Sequence, residues 1–265
     1  MNSNPVRTTN FIGGNRMRDY RAEDAVVAFI DILGSSEEMK RDPQNALNTV
    51  HNAYNDALEI YNTIFNVHRD KVQIRIFSDN IVLSCPSESI GIEAALHLIV
   101  VLSALIQEKL LHYSVLSRGG IARGDFFRDE TMIWGNALVQ AYNLECAIAI
   151  YPRIVIHPSL IADVGYFKKK SNGDGNDLIN WITQDQDGLC YVDYFNTKLI
   201  KDPLLMLTIF LGDNERRETN HSQNLKVAQK IIWHGNYLKQ KIYALKSDIS
   251  SHSSALTSAS GFEST

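Results

Sequence analysis

Residues Ala25 to Ile30 read Ala-Val-Val-Ala-Phe-Ile, a short unbroken apolar run with the β-branched and aromatic content of a central strand. The run ends at Asp31, which is followed by Ile32-Leu33-Gly34-Ser35-Ser36. Gly34 permits a tight turn, and either serine can cap a helix beginning near Glu37. The chain must therefore build a sheet around this strand, with a carboxylate at its rim.

The segments that follow supply the rest of such a sheet. Asn48 to Phe65 carries Val50, Tyr54, Leu58 and Tyr61 at helical spacing and predicts an amphipathic helix against the sheet. Val72 to Phe77 and Ile81 to Leu83 read as two strands whose hairpin tip is Ser78-Asp79-Asn80. Glu93 to Leu111 predicts a helix, and Ser117 to Arg123 a glycine-bearing strand. Phe126-Phe127 and Met132-Ile133 flank a further polar turn. A helix opens at Trp134-Gly135-Asn136, and Pro152 breaks it before a short strand from Arg153 to Ile156, stopped by His157-Pro158. Strand, helices, hairpin, helix, strand, hairpin, helix, strand is the order of an α/β (α+β) fold. It predicts a mixed central sheet with packed helices, nearer to an elaborated ferredoxin-like palm than to a doubly wound sheet.

Beyond it, the Gly- and Asn-rich stretch from Lys168 to Asp187 reads as a loop insertion around Leu178 to Ile182. Leu189 to Phe195 reads as one more strand, Leu204 to Leu211 as an apolar segment, and Leu225 to Leu245 as a helix despite Gly235. The expected division is a polar N-terminal extension over 1–20, one domain with its elaboration over 21–212, a C-terminal helical segment over 213–246, and a disordered Ser-rich tail over 247–265.

Several function classes are excluded. The formal net charge of -4 offers no basic track for a nucleic-acid backbone, so no direct nucleic-acid partner is expected. Three dispersed cysteines make neither a disulfide framework nor a cysteine zinc site. The polar N-terminus lacks the apolar core of a secretory signal, and the apolar helix around Ala94 to Leu111 is interrupted by His97, Ser103, Gln107, Glu108 and Lys109. A cytoplasmic protein with no membrane partner is the expectation. There is no phosphate-binding G-x-x-x-x-G-K-[ST] loop, no dinucleotide-binding glycine spacing and no H-E-x-x-H.

What remains is Asp31 and Asp79, two acids that neighbouring strands of a palm bring to one rim. Paired carboxylates repel unless protonated or bridged by cations. Two Mg2+ or Mn2+ ions about 3.5–4 Å apart would activate an attacking hydroxyl and stabilise a pyrophosphate leaving group. The Ile32 carbonyl is a further ligand candidate, and the amides from Leu33 through Gly34 and Ser35 to Ser36 are candidates for the outer phosphates. Either acid alone also reads as an ordinary turn residue. Arg118 and Arg123 flank the glycines of the same predicted strand. Arg118 reads equally as an anchor for a loop carboxylate, and Arg123 is the preferred phosphate-directed candidate.

In combination these pieces resemble the class III nucleotidyl cyclase family, in particular the bacterial pyrimidine cyclases of antiphage defence. The resemblance runs from about Val26 through Ile156. It is carried by Phe29-Ile30-Asp31-Ile32-Leu33-Gly34, Arg75-Ile76-Phe77-Ser78-Asp79, Arg118-Gly119-Gly120-Ile121-Ala122-Arg123-Gly124 and Ile133-Trp134-Gly135. It implies two divalent cations held by Asp31 and Asp79, and attack of a ribose 3'-hydroxyl on the same nucleotide's alpha-phosphate. It also implies a head-to-tail homodimer with active sites at the subunit interface.

Arg75 stands where purine cyclases of the family carry a base-reading lysine, and Met132 where adenylate cyclases carry a base-reading carboxylate. Methionine accepts only weakly from adenine's amine, while uracil offers carbonyl acceptors to Arg75, so the resemblance points to UTP and cyclic UMP. Cyclic CMP is the alternative product. Tyr54 belongs to the base side under this resemblance, and to helix packing on its own spacing. The family's transition-state asparagine and arginine fall on Val139 and Asn143. Either another group such as Arg123 replaces them or the domain is a catalytically inactive nucleotide-binding scaffold. Pyrimidine cyclases already differ from purine cyclases here. A separate cyclic-nucleotide effector is implied.

Overall fold

The computed structural model describes residues 21–65, 69–173, 177–195 and 200–259. The polar extension over 1–20 lies outside the described residues. The chain runs β1 (Glu23–Ile32), α1 (Ser35–Arg41), α2 (Pro43–Ile64), β2 (Gln73–Phe77), β3 (Asn80–Pro86), α3 (Ile92–His112), β4 (Ser117–Arg128), β5 (Ile133–Trp134) and α4 (Asn136–Asn143). It continues through β6 (Ile154–Ile156), α5 (Pro158–Asp163), α6 (Tyr166–Asn172), β7 (Ile182–Gln184), β8 (Cys190–Val192), α7 (Pro203–Asn220) and α8 (Leu225–Ala259).

The strands form one sheet in the order β2-β3-β1-β4-β6-β8-β7, with β5 folded back on β4. All pairs are antiparallel except β4 with β6. Strand–helix–strand–strand–helix–strand in the order β2-β3-β1-β4 is the ferredoxin-like palm that the sequence pattern predicts. β1 is its centre, hydrogen-bonded on both sides.

The alternation of β1 sorts its side chains between two cores. Val26, Ala28, Ile30 and Ile32 join the larger core with α2, α3 and the C-terminal helices. Ala25, Val27 and Phe29 join a smaller one under α4, made largely of alanines. α4 can settle so low because β4 carries Gly120, where a Cβ would lie 2.3 Å from the Ala141 carbonyl and 2.5 Å from Leu144 Cβ. Among the described residues α3 is the one helix long and apolar enough to cross a membrane, and 83% of that stretch is buried in the larger core.

Four expectations are corrected. Neither serine caps α1: its cap is Gly34 in the left-handed region (φ 81°), and Ser35 points its hydroxyl elsewhere. The expected loop over Lys168 to Asp187 contains α6, a 3-10 turn (Asp177–Trp181) and β7, anchored by buried Leu178, Trp181 and Ile182. Those three apolar residues are sparse in a Gly- and Asn-rich window, which hides their anchoring role from composition. The apolar Leu204 to Leu211 and the charged stretch to Asn220 are one helix, α7, started by Pro203 and by Asp202, whose carboxylate accepts from the Leu205 amide at 3.1 Å. The Ser-rich tail is helical as far as Ala259, because a helix nucleated by packing elsewhere propagates cheaply, and Ser250 and Ser251 donate to carbonyls three residues back.

α7 and α8 are welded to the sheet by buried polar groups. His234 is 1% exposed, with Nδ1 2.8 Å from Asn214 Oδ1 and Nε2 2.7 Å from the Tyr194 hydroxyl. Asn214 donates its amide to the Ile231 carbonyl at 2.9 Å, so its oxygen faces His234 and the imidazole proton sits on Nδ1. Gly235 lets α7 approach, since a Cβ there would meet Asn214 Nδ2 at 2.8 Å. Asp193 accepts from the Tyr237 hydroxyl at 2.7 Å and pairs with Lys241.

Burial, helped by the Arg217 charge, pulls the His234 imidazole down to about 3. The unfolded chain takes up a proton on this histidine near pH 6.5, and the folded chain does not until about pH 3. Its contribution to stability is therefore complete above pH ~6.5 and is lost as pH falls toward 3, at up to about 1.4 kcal/mol per pH unit. Chemical denaturation between pH 7 and 4 is expected to show this slope in wild type and a shallower one in H234Q. Equal slopes would place the acid sensitivity elsewhere.

Candidate functional site

The two acids singled out in the sequence are brought to one rim by strand pairing. Asp31 lies opposite Asn80 in the β1–β3 register, and Asp79 is the adjoining residue of the hairpin turn. The Ile32 amide donates to the Asp79 carbonyl at 3.1 Å, which ties the end of β1 to that turn. Ser78 makes the turn at positive φ (54°). The Ser35 hydroxyl donates to Asp79 Oδ2 at 2.5 Å and Asn80 Nδ2 to Oδ1 at 3.1 Å. The serine hydrogen bond, against partial burial and with help from the turn's own amide and Ser78, holds the Asp79 carboxyl below the usual carboxylate range.

Arg118 faces Asp31 across β1 and β4. Its Nε donates to Asp31 Oδ2 at 3.2 Å, its Nη2 lies 2.5 Å from Glu145 Oε1, and its Nη1 reaches the Ala149 carbonyl at 3.4 Å. Arg118 thus anchors a carboxylate, one of the two sequence readings, and the carboxylate is the candidate metal ligand itself. Glu145 is 3% exposed in the π-helical turn Leu144–Ile148 after α4, and it was missed in the sequence. A single acid between Leu144 and the apolar run Cys-Ala-Ile-Ala-Ile was the available signal.

Arg123 is not brought to this rim. It is five residues along β4 from Arg118, about 17 Å of strand, and the odd spacing turns it to the opposite face. There it pairs with Asp24 at 2.8 Å and Asp163 at 3.1 Å. Tyr54 stands on α2, half-buried, with its phenol pushed up by burial; the same helix sends Ala53, Ala57 and Tyr61 into the larger core. Among the described residues no hydrogen bond joins it to Asp31 or Asp79.

Arg75 and the turn that carries Met132 do come together. Arg75 lies opposite Val82 on β2, on the face that carries Asp31, and its Nη2 donates to the Asp129 carbonyl at 2.7 Å. Asp129 opens the β4–β5 turn, whose tip is fixed by bonds from Thr131 and from the Met132 amide (2.8 Å) to its carboxylate. The β4–β5 arm therefore curls back over the sheet until it touches β2. Met132, Trp134, Val139 and Tyr142 are exposed along this side, as is Phe77, and Phe29 stacks edge-on against Tyr142 at 5.4 Å. Asn143 is exposed on the same helix as Val139.

Of the amides expected to face phosphate, that of Leu33 is consumed by the Leu116 carbonyl at 2.8 Å. Gly34, Ser35 and Ser36 remain at the start of α1. Among the described residues no group of three or more His, Cys, Asp or Glu is clustered to hold a metal ion. Two carboxylates with the nearby Ile32 carbonyl nonetheless fit Mg2+ or Mn2+. Mg2+ is bound through one or two carboxylates, with water and substrate phosphate completing its shell. Burial, with the Arg118 charge, holds the Lys230 ammonium of α8 below the ordinary lysine range, against Asp31 and Glu145.

No family model and no curated protein matches the chain. Among solved structures it is similar to the adenylyl cyclase CyaB from P. aeruginosa, at 18% identity and TM-score 0.47 over 66% of this chain and 96% of that one. It is also similar to the monomeric guanylyl cyclase domain of the RhoGC fusion protein from the fungus Blastocladiella emersonii (17% identity, TM-score 0.43, 64% and 96%). A bacterial light-regulated adenylyl cyclase aligns at 14% identity and TM-score 0.41 over 72% and 99%.

Arg118 and Glu145 make a sharp stability test. R118M leaves a buried carboxylate without its cation and is expected to cost about 3 kcal/mol in urea denaturation. Adding E145Q to R118M is expected to recover most of that loss, because a neutral amide tolerates the site. An R118M protein as stable as wild type would show that the pair holds nothing.

Proposed function

We propose that the protein is a nucleotidyl cyclase that converts UTP to 3',5'-cyclic UMP and diphosphate. The observation that carries this is the juxtaposition of Asp31 and Asp79 at one rim of a ferredoxin-like palm. Its motif resemblance to the pyrimidine cyclases supports it, and on that resemblance the product would act in antiphage signalling through a separate cyclic-nucleotide effector.

Asp31, Asp79 and the Ile32 carbonyl would hold two Mg2+ or Mn2+ ions. Those ions supply the positive charge that eases ionisation of the ribose 3'-hydroxyl and neutralises the departing diphosphate. In the reaction the 3'-oxygen forms a bond to the alpha-phosphorus, the bond from that phosphorus to the beta-phosphate oxygen breaks, and the hydroxyl proton leaves to solvent. Asp79 arrives ionised, since Ser35 stabilises its charged form. Arg118 holds the orientation of Asp31. Gly34, Ser35 and Ser36 present backbone donors to the outer phosphates.

Arg75 offers its fixed fork of N–H donors to the carbonyl edge of uracil, and the Met132 thioether gives adenine's amine no strong acceptor. Met132, Trp134, Val139 and Tyr142 form an exposed apolar margin beside the base-reading residues, which a second copy would cover in a head-to-tail homodimer. One observation favours a second reading, cytidylate cyclisation. Arg75 touches Asp129, whose backbone carbonyl and carboxylate are acceptors of the kind cytosine's amine requires.

Incubation of the purified protein with UTP, CTP, ATP and GTP in turn, with Mn2+ or Mg2+, and mass determination of the products separates these readings. Cyclic UMP is expected to predominate. Cyclic CMP as the main product would move the base assignment to Asp129, and no cyclic product with any nucleotide would reject the cyclase. D31A and D79A are each expected to lose at least about 100-fold in turnover while remaining folded. R75A is expected to shift base preference or KM more than turnover.

A further inference from the structure

Arg118 has one more acid than its charge requires. Asp31 alone balances it, accepting from Nε on Oδ2 at 3.2 Å. Glu145 is nevertheless present, 3% exposed, with Oε1 2.5 Å from Nη2. Burying a second carboxylate beside a cation that already has one costs desolvation and settles no further charge. Packing alone would be served by a neutral side chain of the same size.

The backbone around Glu145 places it on Arg118. α4 runs on into the π-helical turn Leu144–Ile148, closed by the Ala149 amide donating to the Leu144 carbonyl at 2.7 Å. The turn lies directly on β4 because Gly120 has no side chain; a Cβ there would be 2.5 Å from Leu144 Cβ. Arg118 is two residues from Gly120 along the same strand and so shares its face. The Ala149 carbonyl receives Nη1 at 3.4 Å, and the Cys146 thiol donates to Glu145 Oε2 at 3.0 Å. The guanidinium is therefore held by both the side chain and the backbone of this segment.

Nε and Nη2 are the two donors along one edge of a guanidinium, the fork that clamps a single carboxylate through both of its oxygens. Here the fork is split, with Nε on Asp31 and Nη2 on Glu145. Asp31 gives up only Oδ2; its Oδ1 makes no hydrogen bond or ion pair to a described residue, and the side chain is 20% exposed. Without Glu145 the whole edge would be free to close on Asp31 and cover both oxygens. The guanidinium charge would also stand uncompensated beside any cation bound there.

We propose that Glu145 is a positioning residue for the cation site: it draws off half of the Arg118 fork, and its charge, so that Asp31 keeps an open oxygen and its full negative charge for a divalent cation. This rests on the reading of Asp31 and Asp79 as metal ligands, but not on the identity of the base or on turnover. Arg118 can then orient Asp31 without competing for it. Losing an outer partner of this kind lowers metal affinity by about 10–100-fold.

The test uses the full chain as wild type, E145Q, E145M, D31A and the double variant R118M/E145Q. Each is titrated with Mn2+ alone, and the electron paramagnetic resonance of free Mn2+ reads binding without catalysis. Wild type is expected to bind Mn2+ and D31A to lose it, with E145Q and E145M at least about tenfold weaker than wild type. The double variant, which loses the cation together with its counter-charge, is expected to return to within about threefold of wild type. Having two neutral variants guards against one that fails to fold, and thermal melting identifies it. Wild-type affinity in a folded neutral variant, a double variant as weak as E145Q, or no Asp31-dependent Mn2+ binding by wild type overturns the proposal. Glu145-dependent Mn2+ binding with no cyclic product from any nucleotide supports Glu145 and rejects the cyclase reading. Cyclic UMP formation with unchanged Mn2+ affinity in E145Q does the reverse.

Discussion

The registration of β1 between β3 and β4 is the constraint on which the rest of the site depends. One strand carries Asp31, and its two neighbours bring Asn80 from one side and Arg118 from the other. A slip of one residue would turn Asp31 into the larger core and Ile30 or Ile32 out of it, at the cost of burying a charge and exposing an apolar side chain. The core therefore enforces the site geometry. The hydrogen bond from the Ile32 amide to the Asp79 carbonyl completes it by holding the hairpin turn against the end of the same strand.

The two faces of the sheet divide the work. The face under α2, α3, α7 and α8 carries most of the buried apolar mass. The other is covered by the short, alanine-rich α4, which sits close because β4 has glycine beneath it. That economy leaves room beside α4 for the rim carboxylates, the β4–β5 arm and an exposed apolar margin. The charges at the rim are arranged as alternating partners. Asp79 is held by hydroxyl and amide donors, Asp31 by Arg118, and Arg118 by the buried Glu145.

Much of the palm was legible because its signals are local. An apolar run flanked by a polar residue and glycine, alternating strands around Ser78-Asp79-Asn80, and helical spacing in α2 each report on a few adjacent residues. Their order was enough to predict the topology. The elements that were misread are those whose evidence is sparse or distant. Leu178, Trp181 and Ile182 anchor a Gly- and Asn-rich segment with only three side chains. The helical state of the serine-bearing end of α8 is inherited from packing upstream of it.

The sequence by itself determined that this chain builds a sheet around Ala25 to Ile30 and that Asp31 and Asp79 stand at strand and hairpin ends. It did so because strand composition and turn chemistry are properties of neighbouring residues. Only the tertiary structure decided which charges accompany those acids. Arg118 and Arg123 are near-equivalent in sequence, but five residues of strand separate them and an odd number of steps turns them to opposite faces. Glu145 reaches the rim through a helical turn whose position is set by core packing, a long-range sum that no local pattern records.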